Sequence, residues 1–302
     1  MACHLLMIFM DTFFCVNNWN QTARDQFDRY MYYTPRHDGV WKDLRAVNVV
    51  AQTKYLVIMD GLPKDSGISL LRHPRKIFFQ REPQEIKQIT LPPDPLLFQG
   101  SYDKHFHIAT WMLKLPFKQL ANLRYPDTIK PLSAVMSAKV LTPGQLLRLR
   151  ALQKISATVQ NMDVYGRGLN VINLGQSYKG SLDYNGFCKF KGLYGYAYSL
   201  AFENSRHVNY FTEKIIDCFL SWTKPIYWGC PNISDFFPKS SYIEIDIQAD
   251  DIGQRVAEEI SKPVDINALR EARELVLHKY SLWPSVRRVI DLIASRRQHE
   301  KH

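Results

Sequence analysis

The feature that most constrains the fold is an alternation that runs the length of the chain: short, almost wholly apolar runs separated by polar stretches long enough for a helix. In the first half the runs are HLLMIFM, inside the apolar opening MACHLLMIFMDTFFCV, then YLVIMD and KIFFQ, with NNWNQTARDQFDRYMYY between the first two. In the second half they are LSAVMSA, MDVYG, YSLAF, KPIYWG and SYIEIDI. Such runs are too short to be buried helices and, SYIEIDI apart, lack the two-residue alternation of a half-exposed sheet. They read as strands covered on both faces, which is the signature of a parallel sheet flanked by helices. The stretches between them in the second half, TPGQLLRLRALQKISATV, KGLYGYA, TEKIIDCFLSW and DDIGQRVAEEI, read as those helices. Thr142 is an N-cap, and Pro143 stands at the first helical position, where its missing N–H costs nothing.

A chain of 302 residues exceeds one ordinary domain. Prolines crowd LPPDP at 91 to 95 and RYPDTIKP at 124 to 131, disfavouring regular structure, and the boundary is expected near Arg124 to Lys130. The expectation is therefore an N-terminal Rossmann-like domain over 1–126 and a C-terminal one over 127–302, closed by the amphipathic helices INALREARELVLHKY and SVRRVIDLIAS. Those helices have basic faces, so contact with a membrane surface stands as an alternative to packing on the domains.

The 46% hydrophobic and 23% charged content is that of a globular chain, and the formal charge of +10 favours an anionic partner: a phosphorylated small molecule, nucleic acid or a membrane surface. The basic residues are scattered, with no RNP-like aromatic motif and no zinc finger, which speaks against nucleic acid. Five widely spaced cysteines without a CxxC pair suggest neither a disulfide framework nor a zinc site, and a reducing compartment follows. The opening has no basic n-region, is broken by His4 and Asp11, and is shorter than the roughly 20 apolar residues that span a bilayer. It is expected as a first buried strand.

One junction carries chemistry. Glu203 and Asn204 stand where YSLAF ends, and Glu213-Lys214 open the next helix, so all four are expected to reach one crevice beyond the carboxyl ends of the strands. A carboxylate there accepts two vicinal hydroxyls, an ammonium neutralises phosphate, and an amide donates to a phosphate oxygen. Together they suit a nucleoside diphosphate. Taken singly, each has a plainer reading: helix-dipole complementarity for Glu213, solvated surface for Lys214, a turn for Asn204.

The stretch SLAFENSRHVNYFTEKIIDCFLSWTKPIYWGCPNISDFFPKSSYIEID resembles glycosyltransferase family 10, the α-1,3/4-fucosyltransferases, through FENS, YFTEK, PIYWG and FPKSSYI in that order. The resemblance thins upstream through TPGQLLRLRAL, MDVYGRG and LDYNGF. It implies an α/β GT-B fold, two Rossmann-like domains facing a cleft, with GDP-fucose held by the second. It also implies that Asn204, Tyr210, Glu213 and Lys214 line the donor site, Glu213 on the ribose and Lys214 on the diphosphate. The family's diphosphate arginine matches Arg148, with Arg150 two positions on as the alternative, and Tyr184 is a candidate beside the base or a half-buried loop tyrosine.

Inverting transfer needs a carboxylate to take the acceptor's proton. Glu82 follows the strand KIFFQ, Pro83 biases it toward an extended backbone, and the segment is similar to the one from which the family draws its base; a surface pair with Arg81 or Lys76 is the alternative. No Asp-x-Asp pair stands at a strand end, so fixed cations and helix N–H groups, with no metal or cofactor, are expected to meet the leaving group. The acceptor, a glycan hydroxyl, is expected against the first domain, where Trp19, Trp41, Arg36 and His37 are loop candidates or else filler. The reading is thus a fucosyltransferase, cytoplasmic and of bacterial or viral type. Its rivals are a transferase using another nucleotide sugar such as UDP-xylose, and a non-catalytic nucleotide-sugar- or nucleic-acid-binding protein.

Overall fold

The computed structural model describes residues 10–17, 22–62, 70, 72–81, 97–101, 108–127, 129–182 and 188–299. Two compact units emerge: one of 1–108, 116–121 and 278–302, the other of 109–115 and 122–277.

In the first unit β1 (Asp11–Asn17) is flanked by β3 (Leu44–Ala46) and β4 (Tyr55–Met59), followed outward by β5 (Lys76–Gln80) and β6 (Leu97–Ser101), all in parallel. Only β2 (Val40–Trp41) runs antiparallel, on β3. Every residue of β4 is buried, as its unbroken apolar run YLVIM requires of a central strand. Phe14, Val16, Leu56, Ile58 and Phe78 form the core beneath the helices. The helix α1 (Ala23–Met31) starts in a capping box, where Thr22 accepts from the Asp25 N–H and the Asp25 carboxylate accepts from the Thr22 N–H. A short α2 (Phe117–Ala121) follows.

The second unit is a five-stranded, wholly parallel sheet in the order β11 (Ile243–Glu244), β10 (Lys224–Trp228), β9 (Tyr196–Phe202), β7 (Lys130–Val135), β8 (Met162–Tyr165). The chain leaves β7 for β8 on one side and returns to β9 on the other, so the topological switch point lies between β7 and β9. In an open α/β sheet the crevice beyond that point is where ligands bind. Its helices are α3 (Pro143–Thr158), α4 (Cys188–Lys191), α5 (Glu213–Leu220), α6 (Ile252–Ile260) and α7 (Ile266–Leu275). The Thr142 cap is as expected and is completed by Gln145, whose side chain accepts from the Thr142 N–H while Thr142 accepts from the Gln145 N–H.

Three readings are corrected. Of KGLYGYA only its first residue, Lys191, is in a helix, because Gly195 takes the left-handed φ of +89° and Tyr196 already belongs to β9. SYIEIDI pairs over Ile243–Glu244 alone, as an edge strand. The break is not a single one at 126/127: after α7 a five-residue π turn (Val276–Tyr280) carries the chain out of the second unit, and α8 (Leu282–His299) belongs to the first. There Trp283, fully buried, meets Phe13 edge-on at 5.0 Å and donates its indole N–H to the Tyr30 carbonyl. Among the described residues no helix is long and apolar enough to cross a membrane.

Candidate functional site

The carboxyl ends of β7 and β9 carry the chain into Met136-Ser137 and Glu203-Asn204, and between them sits the start of α3. The two are joined closely. Thr142 donates its hydroxyl to the Asn204 carbonyl at 2.9 Å. A side chain at Gly144 would put its Cβ 2.2 Å from that same carbonyl oxygen, so only glycine lets the helix approach this near. Six residues along, Arg148 reaches back, 4% exposed, and donates to Asn204 Oδ1 at 2.7 Å and to the Ser137 carbonyl at 3.5 Å. Its Nε is buried without a partner. Burial lowers the guanidinium's pKa, opposed by the charges of Glu203 and Glu213. Arg150 points away into solvent, which settles which of the two arginines faces this edge. Because Arg148 takes the amide oxygen of Asn204, the NH2 end is left as donor.

Glu203 departs from the expectation of a ligand. It is fully buried, and Gly229 packs so closely that a Cβ there would stand 2.4 Å from Glu203 Cγ. One carboxylate oxygen accepts the Thr212 N–H at 2.8 Å, the other the Thr212 hydroxyl at 2.7 Å and the Lys214 ammonium at 3.2 Å. Its work is thus to hold the start of α5, where Thr212 caps the helix on the Lys214 N–H.

Glu213 and Lys214 are the residues so held. Lys214 Nζ lies 3.0 Å from Thr212 Oγ1, 3.2 Å from Glu203 and 3.4 Å from Glu213, all longer than the roughly 2.7–2.9 Å of a tight charge-assisted bond. Burial raises the Glu213 carboxyl, but Lys214, Lys189, a backbone N–H and Thr212 outweigh it and hold the group at about 2. Burial likewise works against the Lys214 ammonium, and Glu203 and Glu213 more than compensate, so its pKa rises. Both groups stay ionised at neutral pH. Tyr210, 3% exposed, packs edge-on to His207 at 6.2 Å in the loop that leads to α5.

Sequence reasoning missed a third cation. Lys189, on α4, lies 2.6 Å from Asp217 and lines the same cavity as Arg148 and Lys214. In sequence it is one lysine of CKFK, and nothing local marks it. Glu82 and Tyr184 lie outside the described residues, as does Trp19. Trp41, expected in an exposed loop, is core: 7% exposed, it packs on Phe117 and His278. Arg36 is exposed and pairs with Asp38 at 2.9 Å, and the His37 ring packs tilted against Tyr32 at 4.4 Å.

Residues 133–259 match the family model described as glycosyltransferase family 10 (fucosyltransferase), C-terminal. The second unit belongs to glycosyltransferase family 10. Over 67 residues, 22% of this chain, it is 48% identical to an α-(1,3)-fucosyltransferase of Helicobacter pylori, and over 104 residues, 34% of this chain, 33% identical to a putative fucosyltransferase-like protein of Arabidopsis thaliana. The matched stretches span only 14% and 18% of those relatives' own lengths. Among solved structures, an α1,3-fucosyltransferase aligns over 90% of this chain and 83% of its own at 16% identity and a TM-score of 0.48. The T4 phage BGT with UDP-glucose aligns over 95% and 99% at 10% and 0.47. Likenesses at that level carry no argument by themselves. The family 10 match covers Arg148, Lys189, Glu203, Asn204, Tyr210, Glu213, Lys214 and Asp217, whereas Glu82 lies upstream of it.

Proposed function

We propose that the second unit binds a nucleotide sugar, GDP-fucose first among them, and that the chain transfers the sugar to a hydroxyl of a glycan acceptor with inversion. The observation that carries this is the meeting of Arg148, Asn204 and the Glu213-Lys214 helix start at the β7/β9 switch point of a family 10 unit. Arg148 and Lys214 take the diphosphate, with Asn204 donating beside them; Glu213, ionised, accepts the ribose hydroxyls; Tyr210 lines the donor site, and Tyr184 is, from the sequence, the candidate beside the base. As the glycosidic bond breaks, charge grows on the departing diphosphate, and fixed cations with the N–H groups of α5 stabilise it without a metal. Glu82 takes the acceptor proton; its support is the sequence, where it follows Arg81 at the end of β5. The buried free thiols Cys15, Cys218 and Cys230 support a reducing compartment, the cytoplasm.

None of the named contacts reads the sugar, so a second donor class, a UDP-sugar such as UDP-xylose, is the natural competitor. Thermal shift and slow hydrolysis across a panel of GDP- and UDP-sugars, run with and without EDTA, test the proposal. GDP-fucose is expected to raise the melting temperature most and to be hydrolysed in either condition. No response to any nucleotide sugar removes the enzyme reading.

A further inference from the structure

Lys189 has no part in the reading above, yet the fold spends much on it. Its ammonium is 2.6 Å from Asp217, which is fully buried, and the other Asp217 oxygen accepts the Met112 N–H at 2.9 Å. The Met112 N–H thus fixes the acid through Oδ1, while Oδ2 makes no hydrogen bond and holds the lysine by charge and proximity alone. The Lys189 side chain is 18% exposed, and with Arg148 and Lys214 it lines a small cavity of about 20 Å³ under the site, whose wall includes Ser199, Phe202 and Cys218.

A buried ion pair of this kind is no more stabilising than a well-packed apolar pair of the same volume, because desolvation consumes the attraction. Three acids, Asp217 beside Lys189 and Glu203 and Glu213 beside Lys214, offset the repulsion among the three cations. Stability alone still gives no reason to place an ion pair at Lys189 and not an apolar pair. An anion in the site does, and the unpartnered Nε of Arg148 is a second sign that the cavity edge is incomplete without one.

We infer that Lys189, oriented by Asp217, is a positioning residue for donor binding: its ammonium supplies the cavity with a third positive charge, strengthening the hold of Arg148 and Lys214 on the diphosphate. It acts through the potential of the cavity. The Glu213 carboxyl registers that potential, since Lys189 is second only to Lys214 among the groups that pull it down against burial. The inference rests on the nucleotide-sugar reading.

The test compares wild type, Lys189→Arg, Lys189→Met and the double variant K189M/D217N. The double variant removes both charges and leaves an amide oxygen to accept the Met112 N–H, so it stands in if Lys189→Met alone fails to fold. Affinities for GDP and for uncharged guanosine are measured by competition. The expected result is about tenfold weaker GDP binding in Lys189→Met, the size of one charge-assisted interaction, and a smaller loss in the double variant, which removes one charge of each sign. Guanosine binding is expected unchanged, and Lys189→Arg close to wild type. Equal GDP affinity in all four proteins overturns the inference, and so does parallel weakening of GDP and guanosine, which marks a merely structural role. A wild-type chain that binds neither GDP nor UDP overturns the donor reading itself and takes this inference with it.

Discussion

Each unit buries an acid at the carboxyl end of a central parallel strand, and the two acids are used differently. Asp60, 2% exposed, follows β4 and gives both oxygens to one residue: Arg81 donates its N–H at 2.6 Å, its Nε at 3.0 Å and an NH2 at 2.6 Å. The fork is saturated and tight. Glu203, fully buried after β9, divides itself between a helix cap and a lysine that it holds at 3.2 Å. The contrast teaches that a buried strand-end acid is an anchor, and that the residue to examine for function is what it anchors. In the second unit that is Glu213-Lys214. In the first it is Arg81, at the end of β5.

The sharpest way to break this comparison is Glu82→Gln. Loss of a general base lowers kcat by about 10²- to 10⁴-fold, with GDP affinity retained; turnover at the wild-type rate would leave the Asp60–Arg81 fork a purely structural device. Next, Asp60→Ala strands a buried guanidinium and is expected to cost about 3–5 kcal/mol in urea unfolding, the usual penalty for breaking one side of a buried pair. A loss under about 1 kcal/mol, the range of exposed pairs, contradicts the burial argument. Lys214→Ala is expected to lower kcat about a hundredfold. Gly229→Ala presses a methyl against Glu203 and is expected to destabilise by about 1–3 kcal/mol, the cost of overpacking, with donor affinity falling in step as the α5 start shifts.

The smallest effect is on pH dependence, where two acids on the same helix oppose each other. Glu213 is held at about 2, so the unfolded chain takes up its proton first on acidification; its contribution is complete above pH 4.5 and is lost as pH falls toward 2. Asp217 is pushed by burial to about 6 despite Lys189, so the native state takes up that proton first, and stability declines as pH rises from about 4 to 6. Stability curves of wild type and Asp217→Asn should therefore differ in slope between pH 4 and 6, the variant lacking the decline. Superimposable slopes contradict the assignment.

The elements were legible because their signals are local. Uninterrupted apolar runs such as YLVIM demand burial on both faces, and Thr142-Pro143 with Gln145 announces a helix start whatever surrounds it. Glu213 and Lys214 were legible as a pair at a helix opening. Arg148 and Arg150 were not separable, since both lie on one helix and only the rest of the sheet decides which faces Asn204. The burial of Glu203 was not legible, because a carboxylate at a strand end gives no sign, in one dimension, of what fills its hydrogen bonds. Lys189 was invisible for the same reason. Its partner Asp217 comes 28 positions later on another helix.

By itself, then, the sequence determined two parallel-sheet units and a strand-to-helix junction rich in donors, since periodicity and capping depend on neighbours a few residues apart. Only the tertiary structure decided which unit owns the last helix, which acid anchors and which faces outward, and that three cations share one cavity. Those outcomes depend on desolvation and on charges brought together across long stretches of chain, and both exist only once the strands have been placed side by side.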